Sequence, residues 1–220
     1  MNKRWKISFN SPVILGFVGI CFIVMLINMA TDGRSNDLLF VTYHSSLRDP
    51  LTYVRFFTYI FGHDGWTHFI GNMGYILLLG PLLEEKYGFV RILQIIAITA
   101  VVTSLINYIF FWNVALCGAS GICFAFILLS SFTSLNEREI PLTFLLVAAI
   151  YLGQQIYGGN TAHDNVSNLG HIIGGVIGAG VGFALESGRS HCGQSAKVWR
   201  CQFRTSCRHY YSYKWNKNKI

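Results

Sequence analysis

Six apolar stretches divide this chain, at residues 12 to 30, 66 to 83, 89 to 111, 118 to 135, 140 to 157 and 167 to 186. A bilayer core about 30 Å thick takes roughly 20 apolar residues per helical span, so each stretch has the length to cross it. Charged residues make up 12% of the chain and hydrophobic ones 52%, whereas a soluble domain carries roughly a quarter charged residues. The expectation is an all-α membrane protein, one bundle of six transmembrane helices over residues 12–186, with a cytoplasmic segment at 1–11 and a basic cytoplasmic tail at 187–220. The first stretch is too long for the apolar region of a signal peptide and lacks its small-residue cleavage pattern, so it counts as a span. The fourth begins at Gly118, close after Trp112, so the connection into it is expected to dip into the membrane.

Orientation follows from Lys and Arg near the span ends. With the N-terminus cytoplasmic, the inner segments hold Lys3, Arg4, Lys6, Lys86, Arg91, Arg138 and the eight basic residues after Glu186, and the outer ones hold Arg34, Arg48 and Arg55. Both termini are therefore expected inside. The net charge of +7 reads as a topology signal rather than a nucleic-acid footprint, and no nucleic-acid partner is expected.

The segment from Thr31 to Gly65 is the one long outer connection, and its aromatics suggest that it lies in the membrane interface. In the last span Gly170, Gly174, Gly178 and Gly182 recur every four residues, which lets another backbone approach one helix face. Cys21, Cys117 and Cys123 lie in or beside spans, where packing is the ordinary role. Cys192, Cys201, Cys207, His191 and His209 in the tail lack the paired spacing of a zinc site. No metal or other cofactor is expected.

Polar side chains inside spans are costly and should face the bundle interior. His68 and Asn72 in the second span, Ser120 in the fourth and His171 in the sixth each have an ordinary structural explanation when taken singly. Together they do not, because these three spans all enter from the outer side and each polar group lies near its helix start. At 1.5 Å rise per residue, Asn72 is about 9 Å below Trp66, and Ser120 and His171 are within about two turns of their helix starts. His68 and Asn72 share a face at i and i+4, and His171 stands at the head of the glycine face. If that face meets Gly118, Ala119, Ser120 and Gly121, the imidazole comes within reach of the serine, with Phe124 packed one turn below.

This pattern suits nucleophilic acyl transfer. A serine hydroxyl needs a base, and neutral imidazole is the usual one. Glu84, Glu85 and Glu186 lie at cytoplasmic ends, so the expected unit is a Ser120–His171 dyad without a carboxylate. The Ser120 backbone N–H at a helix start, with His68 and Asn72, would stabilise the oxyanion. The alternatives are a non-catalytic protein that binds or escorts membrane helices, which needs neither Ser120 nor His171, and a small transporter, disfavoured because the polar groups cluster near one surface.

These residues resemble the rhomboid family of intramembrane serine proteases. "HDGWTHFIGNM" is similar to the family's second-helix pattern, "CGASGICF" to its GxSG nucleophile motif, and "GHIIGGVIGAG" to its last helix with the base histidine ahead of spaced glycines. "YVRFFTY" matches the first-loop arginine at Arg55, and "EEKYG" matches the glutamate and glycine after the second helix at Glu84 and Gly88. The resemblance implies a rhomboid-type six-helix bundle with a membrane-associated first loop. It further implies Ser120 as nucleophile, His171 as general base, an oxyanion hole from His68, Asn72 and the Ser120 amide, and a turn at Gly118. The implied substrates are transmembrane segments of other proteins, cut within the lipid bilayer near their outer ends beside small residues. Val54 departs from the tryptophan usual in the loop, and Phe124 from the frequent tyrosine. The minimal six-span form suggests a bacterial plasma membrane; the oligomeric state is not legible.

Overall fold

A computed structural model describes residues 10–132 and residues 142, 145, 146, 149, 150, 153, 174, 175, 177, 178, 180, 181 and 184. Contacts divide the chain into two units, Met1–Val181 and Gly182–Ile220. Of the second only Ala184 is described, as an exposed helical residue. Among the described residues of the first unit the structure is helical, without a β-strand: α1 is Pro12–Ala30, α2 Pro50–Thr58, α3 Trp66–Tyr87, α4 Phe89–Phe110 and α5 Ser120–Phe132.

Four of these helices fall on the first four expected spans. Helices α1 and α4 are long and apolar enough to cross a membrane. The fifth and sixth spans are described only at scattered positions, all helical, from Leu142 to Gly153 and from Gly174 to Ala184. The remainder of both, and the expected tail, lie outside the described residues.

The helices bury polar groups beside an apolar core and expose large apolar side chains. Ile23 on α1 is 57% exposed, Leu78 on α3 65% and Phe110 on α4 67%, while Asn72, Thr99, Thr103, Ser104 and Asn107 are buried. The exposed apolar faces fit helices whose outer surface meets hydrocarbon.

Glycine and proline set the helix ends. Pro12 opens α1 at a position whose N–H would have no partner in the helix. The next two donors, the N–H groups of Val13 and Ile14, each bond a carboxylate oxygen of Glu84 at 3.1 Å. Glu84, near the C-terminal end of α3, is thus the cap of α1. Nearby, Gly80 lets α1 approach α3: a Cβ there would meet Ile14 Cδ1 at 2.6 Å. Gly88 alone separates α3 from α4, at φ 85, a conformation that costs glycine little.

The long connection between α1 and α3 is more ordered than its sequence suggests. It contains a π-helical turn at Asn36–Phe40, α2, and a 3-10 turn at Tyr59–Phe61. Asp49 caps α2 by accepting the Leu51 N–H at 3.0 Å, with Pro50 in the first turn. Helix α2 buries Thr52, Arg55 and Phe56 and exposes Tyr53, Val54 and Phe57. This one-sided apolar exposure agrees with an interfacial position.

The same connection is tied to α4 by Ser104 Oγ donating to Phe56 O at 2.7 Å and the Tyr59 hydroxyl donating to Ala100 O at 3.2 Å. Farther along, the Tyr108 hydroxyl donates to Ser45 O at 2.5 Å. Arg55 holds its interior: Nε donates to Leu38 O at 2.8 Å, Nη1 pairs with Asp49 at 3.3 Å, and the guanidinium sits 4.9 Å from the Tyr43 ring centre. Val54, at the position of the missing tryptophan, is 43% exposed, so the loop is held here by its arginine.

Candidate active site

The chain reaches α5 through backbone contacts with the outer connection. Thr42 and Leu116 exchange two hydrogen bonds at 3.0 and 2.8 Å, and the Gly118 N–H donates to Tyr59 O at 2.9 Å. Gly118 has φ 111, which side-chain-bearing residues rarely adopt. Its missing side chain also makes room: a Cβ would lie 2.6 Å from His68 Cε1, 2.7 Å from His68 Nε2 and 3.4 Å from Asn72 Nδ2. Two residues later Ser120 begins α5, buried at 6% exposure. His68 and Asn72 of α3 therefore converge on the turn that delivers Ser120.

Asn72 is 2% exposed, and among the described residues its Nδ2 has no hydrogen-bond partner. Its oxygen is engaged: Cys123 Sγ, one turn after Ser120, donates to Asn72 Oδ1 at 3.6 Å and to Asn72 O at 3.4 Å. A buried amide donor left unpaired costs roughly 1 to 3 kcal/mol. Among the described residues Asn72 Nδ2 is one of seven buried side-chain atoms without a partner, and the one that faces the Gly118 turn, where a ligand or reacting atom is one explanation for it.

The small residues of the last expected span meet the start of α5. A Cβ on Gly174 would fall 2.7 Å from Gly121 Cα, one on Gly175 would overlap the Phe124 ring, and one on Gly178 would overlap Ala125. Of the segment expected to meet the glycine face, Gly121 does so, and the other contacts among the described residues fall on Phe124 and Ala125. Phe124, expected against His171, has its ring over Gly175; His171, Gly170 and Gly182 lie outside the described residues.

Arg55 and Glu84 have structural contacts elsewhere, in the outer connection and at the α1 cap. His63 emerges as a further interior group. It is wholly buried, its ring centre is 5.2 Å from that of His68, and its Nδ1 is 3.2 Å from Phe61 O. Burial first, and then the neighbouring His68, push its pKa down to about 3, so it is neutral at physiological pH with Nδ1–H donating to Phe61 O. Cys117 stands three residues before Ser120, and burial, with Asp64 and Asp37 adding to it, pushes its thiol up to about 12. It is therefore protonated and a poor nucleophile. Among the described residues no group of three or more His, Cys, Asp or Glu side chains could hold a metal ion.

Sequence reading missed Cys123 as a polar contact, although its spacing of three from Ser120 puts both on neighbouring turns. It also missed the part of Tyr59, which acts through its backbone oxygen and leaves no mark in residue type.

The family model of the Rhomboid domain matches residues 50–187, more than half of the chain. The chain belongs to the rhomboid family. It is similar to rhomboid-related protein 1 of Caenorhabditis elegans, 32% identical over 140 residues that cover 60% of this chain and 39% of that protein. It is also similar to RHOMBOID-like protein 7 of Arabidopsis thaliana, 28% identical over 138 residues covering 60% and 42% of the two chains. RHOMBOID-like protein 1 of the same plant is 32% identical over 138 residues, covering 60% and 34%. The matches thus span about two fifths or less of these relatives' length. Rhomboid membership and the two apolar helices α1 and α4 make this a membrane protein. These relatives are eukaryotic and lend no support to a bacterial source.

Proposed function

We propose that this rhomboid protein is a serine endopeptidase that cuts transmembrane segments of other proteins within the bilayer, near their extracytoplasmic ends. The catalytic core would be residues 12–186, six spans with both termini cytoplasmic, followed by the basic tail. The observation that carries the reading is the buried Nδ2 of Asn72, without a hydrogen-bond partner among the described residues, beside the His68 ring at Gly118 and next to Ser120 at the start of α5.

In this reading Ser120 Oγ attacks the scissile carbonyl carbon and His171 takes the hydroxyl proton. His171 precedes Gly174 by three residues in the sequence, and Gly174 meets Gly121. As the carbonyl becomes tetrahedral, its oxygen gains negative charge. Asn72 Nδ2–H, a His68 N–H and the Ser120 amide at the positive end of α5 would receive it, each such donor being worth about 3 kcal/mol to the transition state. His171 then passes the proton to the departing amine, and water hydrolyses the acyl-enzyme to release the acid and restore Ser120. The high thiol pKa at Cys117 favours serine over cysteine as nucleophile.

The test is cleavage of a transmembrane model substrate by detergent-solubilised protein, wild type against Ser120→Ala and His171→Ala. Both variants should fold and lose cleavage. Equal cleavage by Ser120→Ala, or none by a well-folded wild type, would refute the proposal and favour a non-catalytic helix-binding role.

A further inference from the structure

We infer that Cys123 is a positioning residue that sets which way the Asn72 amide faces. The inference rests on the reading of Asn72 as an oxyanion donor. A carboxamide has two ends of nearly equal shape and opposite polarity. Rotated by half a turn about its last bond, Asn72 would present oxygen, not N–H, to the developing negative charge, turning a stabilising group into a repelling one. Something must hold the amide in the useful orientation, and among the described residues no group of α3 bonds the Asn72 side chain.

The contact that does is the Cys123 thiol, fully buried one turn below Ser120. It is shared between Asn72 Oδ1 at 3.6 Å and the Asn72 backbone oxygen at 3.4 Å. A thiol in this place donates, and only an oxygen can accept from it here. With Oδ1 held on the Cys123 side, Nδ2 is left on the Gly118 side, 3.4 Å from the position of a Gly118 Cβ, without another partner among the described residues. Ser120 and Cys123 occupy successive turns of one helix, so the nucleophile and the group that orients the oxyanion donor move as one body. Sulfur suits the place because its long bonds and weak donation hold the amide oxygen without drawing the amide out of line.

The test is a double-mutant cycle with transmembrane-substrate cleavage and single-turnover labelling by a serine-directed phosphonate, whose P–O oxygen occupies the oxyanion position. Cys123→Ala should lower kcat and the labelling rate about two- to threefold, the low end of a neutral hydrogen bond's worth, as a weak shared donor gives, with KM unchanged. Cys123→Ser, which keeps a donor, should restore most of the rate. In an Asn72→Ala background, where no amide remains to orient, Cys123→Ala should have no further effect on labelling. A loss of the same size in that background means that Cys123 acts through packing and overturns the inference, as does a Cys123→Ala protein with the wild-type rate or a Cys123→Ser protein as slow as Cys123→Ala. A folded wild type without Ser120-dependent cleavage fails the functional reading itself; it is recognised before position 123 is changed, and it removes the basis for this inference too.

Discussion

Gly118→Ala tests the candidate site most directly, because two independent costs meet at one position. The backbone there has φ 111, and holding a side-chain-bearing residue in such a region costs about 1 to 3 kcal/mol. The added methyl would lie 2.6 Å from His68 Cε1 and 2.7 Å from Nε2, and ordinary contact begins at 3.4 Å. The imidazole must therefore retreat by about 0.8 Å, and misplacing a catalytic group by roughly 1 Å can cost about a hundredfold in rate. The expected result is a folded protein, less stable by about 1 to 3 kcal/mol, with kcat lower by about a hundredfold and KM little changed. Transmembrane-substrate cleavage and unfolding in detergent measure the two effects. Gly71→Ala is the control, since nothing lies within 4 Å of a Cβ there; it should keep its activity and gain up to about 1 kcal/mol of helix propensity. A Gly118→Ala enzyme with wild-type kcat, or a loss shared by Gly71→Ala, would refute the reasoning.

Two further outcomes concern stability. Glu84→Ala removes the only cap on the Val13 and Ile14 donors seen among the described residues, so unfolding in detergent should show a loss of about 3 kcal/mol, from bonds to a charged acceptor worth roughly 1.5 to 3 kcal/mol each; Glu84→Gln, which keeps one acceptor, should lose about half. His63 has its folded pKa lowered to about 3 from an ordinary 6.5, so between those values the unfolded chain binds the extra proton and stability falls as pH falls. The slope is roughly 1.4 kcal/mol per pH unit at its steepest, and His63→Asn should flatten it in unfolding midpoints taken from pH 7 to 4.5; an unchanged slope would show that His63 is not the titrating group.

The helices were legible wherever one physical cause dominated. The apolar run that starts at Pro12 and ends at Ala30 is α1 to the residue, and the starts of α3 and α4 at Trp66 and Phe89 fall where glycines precede long apolar stretches. His68, Asn72, Ser120 and His171 could be grouped because a polar side chain in a span is costly wherever it stands; the structure brings His68 and Asn72 to the Gly118 turn that precedes Ser120, and His171 lies outside the described residues. Helix α2 was not legible: its nine residues are amphipathic, and an interface rewards that pattern without a long apolar run. The bonds from Glu84 to Val13 and Ile14 join residues about seventy positions apart, and no local pattern announces such a partner. Cys123 was read as a small apolar filler because its bonds to Asn72 depend on how α3 and α5 pack.

The pairing of Thr42 with Leu116 and the bond from Gly118 N–H to Tyr59 O have one property in common: every atom in them belongs to the main chain. The link between the outer connection and the serine turn is thus indifferent to which side chains stand at Thr42, Tyr59 and Leu116 but sensitive to how many residues separate them. Substitution there should be tolerated where the side chain packs, whereas one inserted or deleted residue between Thr42 and Tyr59, or between Leu116 and Ser120, would slide the stitches out of step. In this part of the molecule spacing along the chain is itself the quantity that the site requires, and chain length, more than composition, keeps the serine in place.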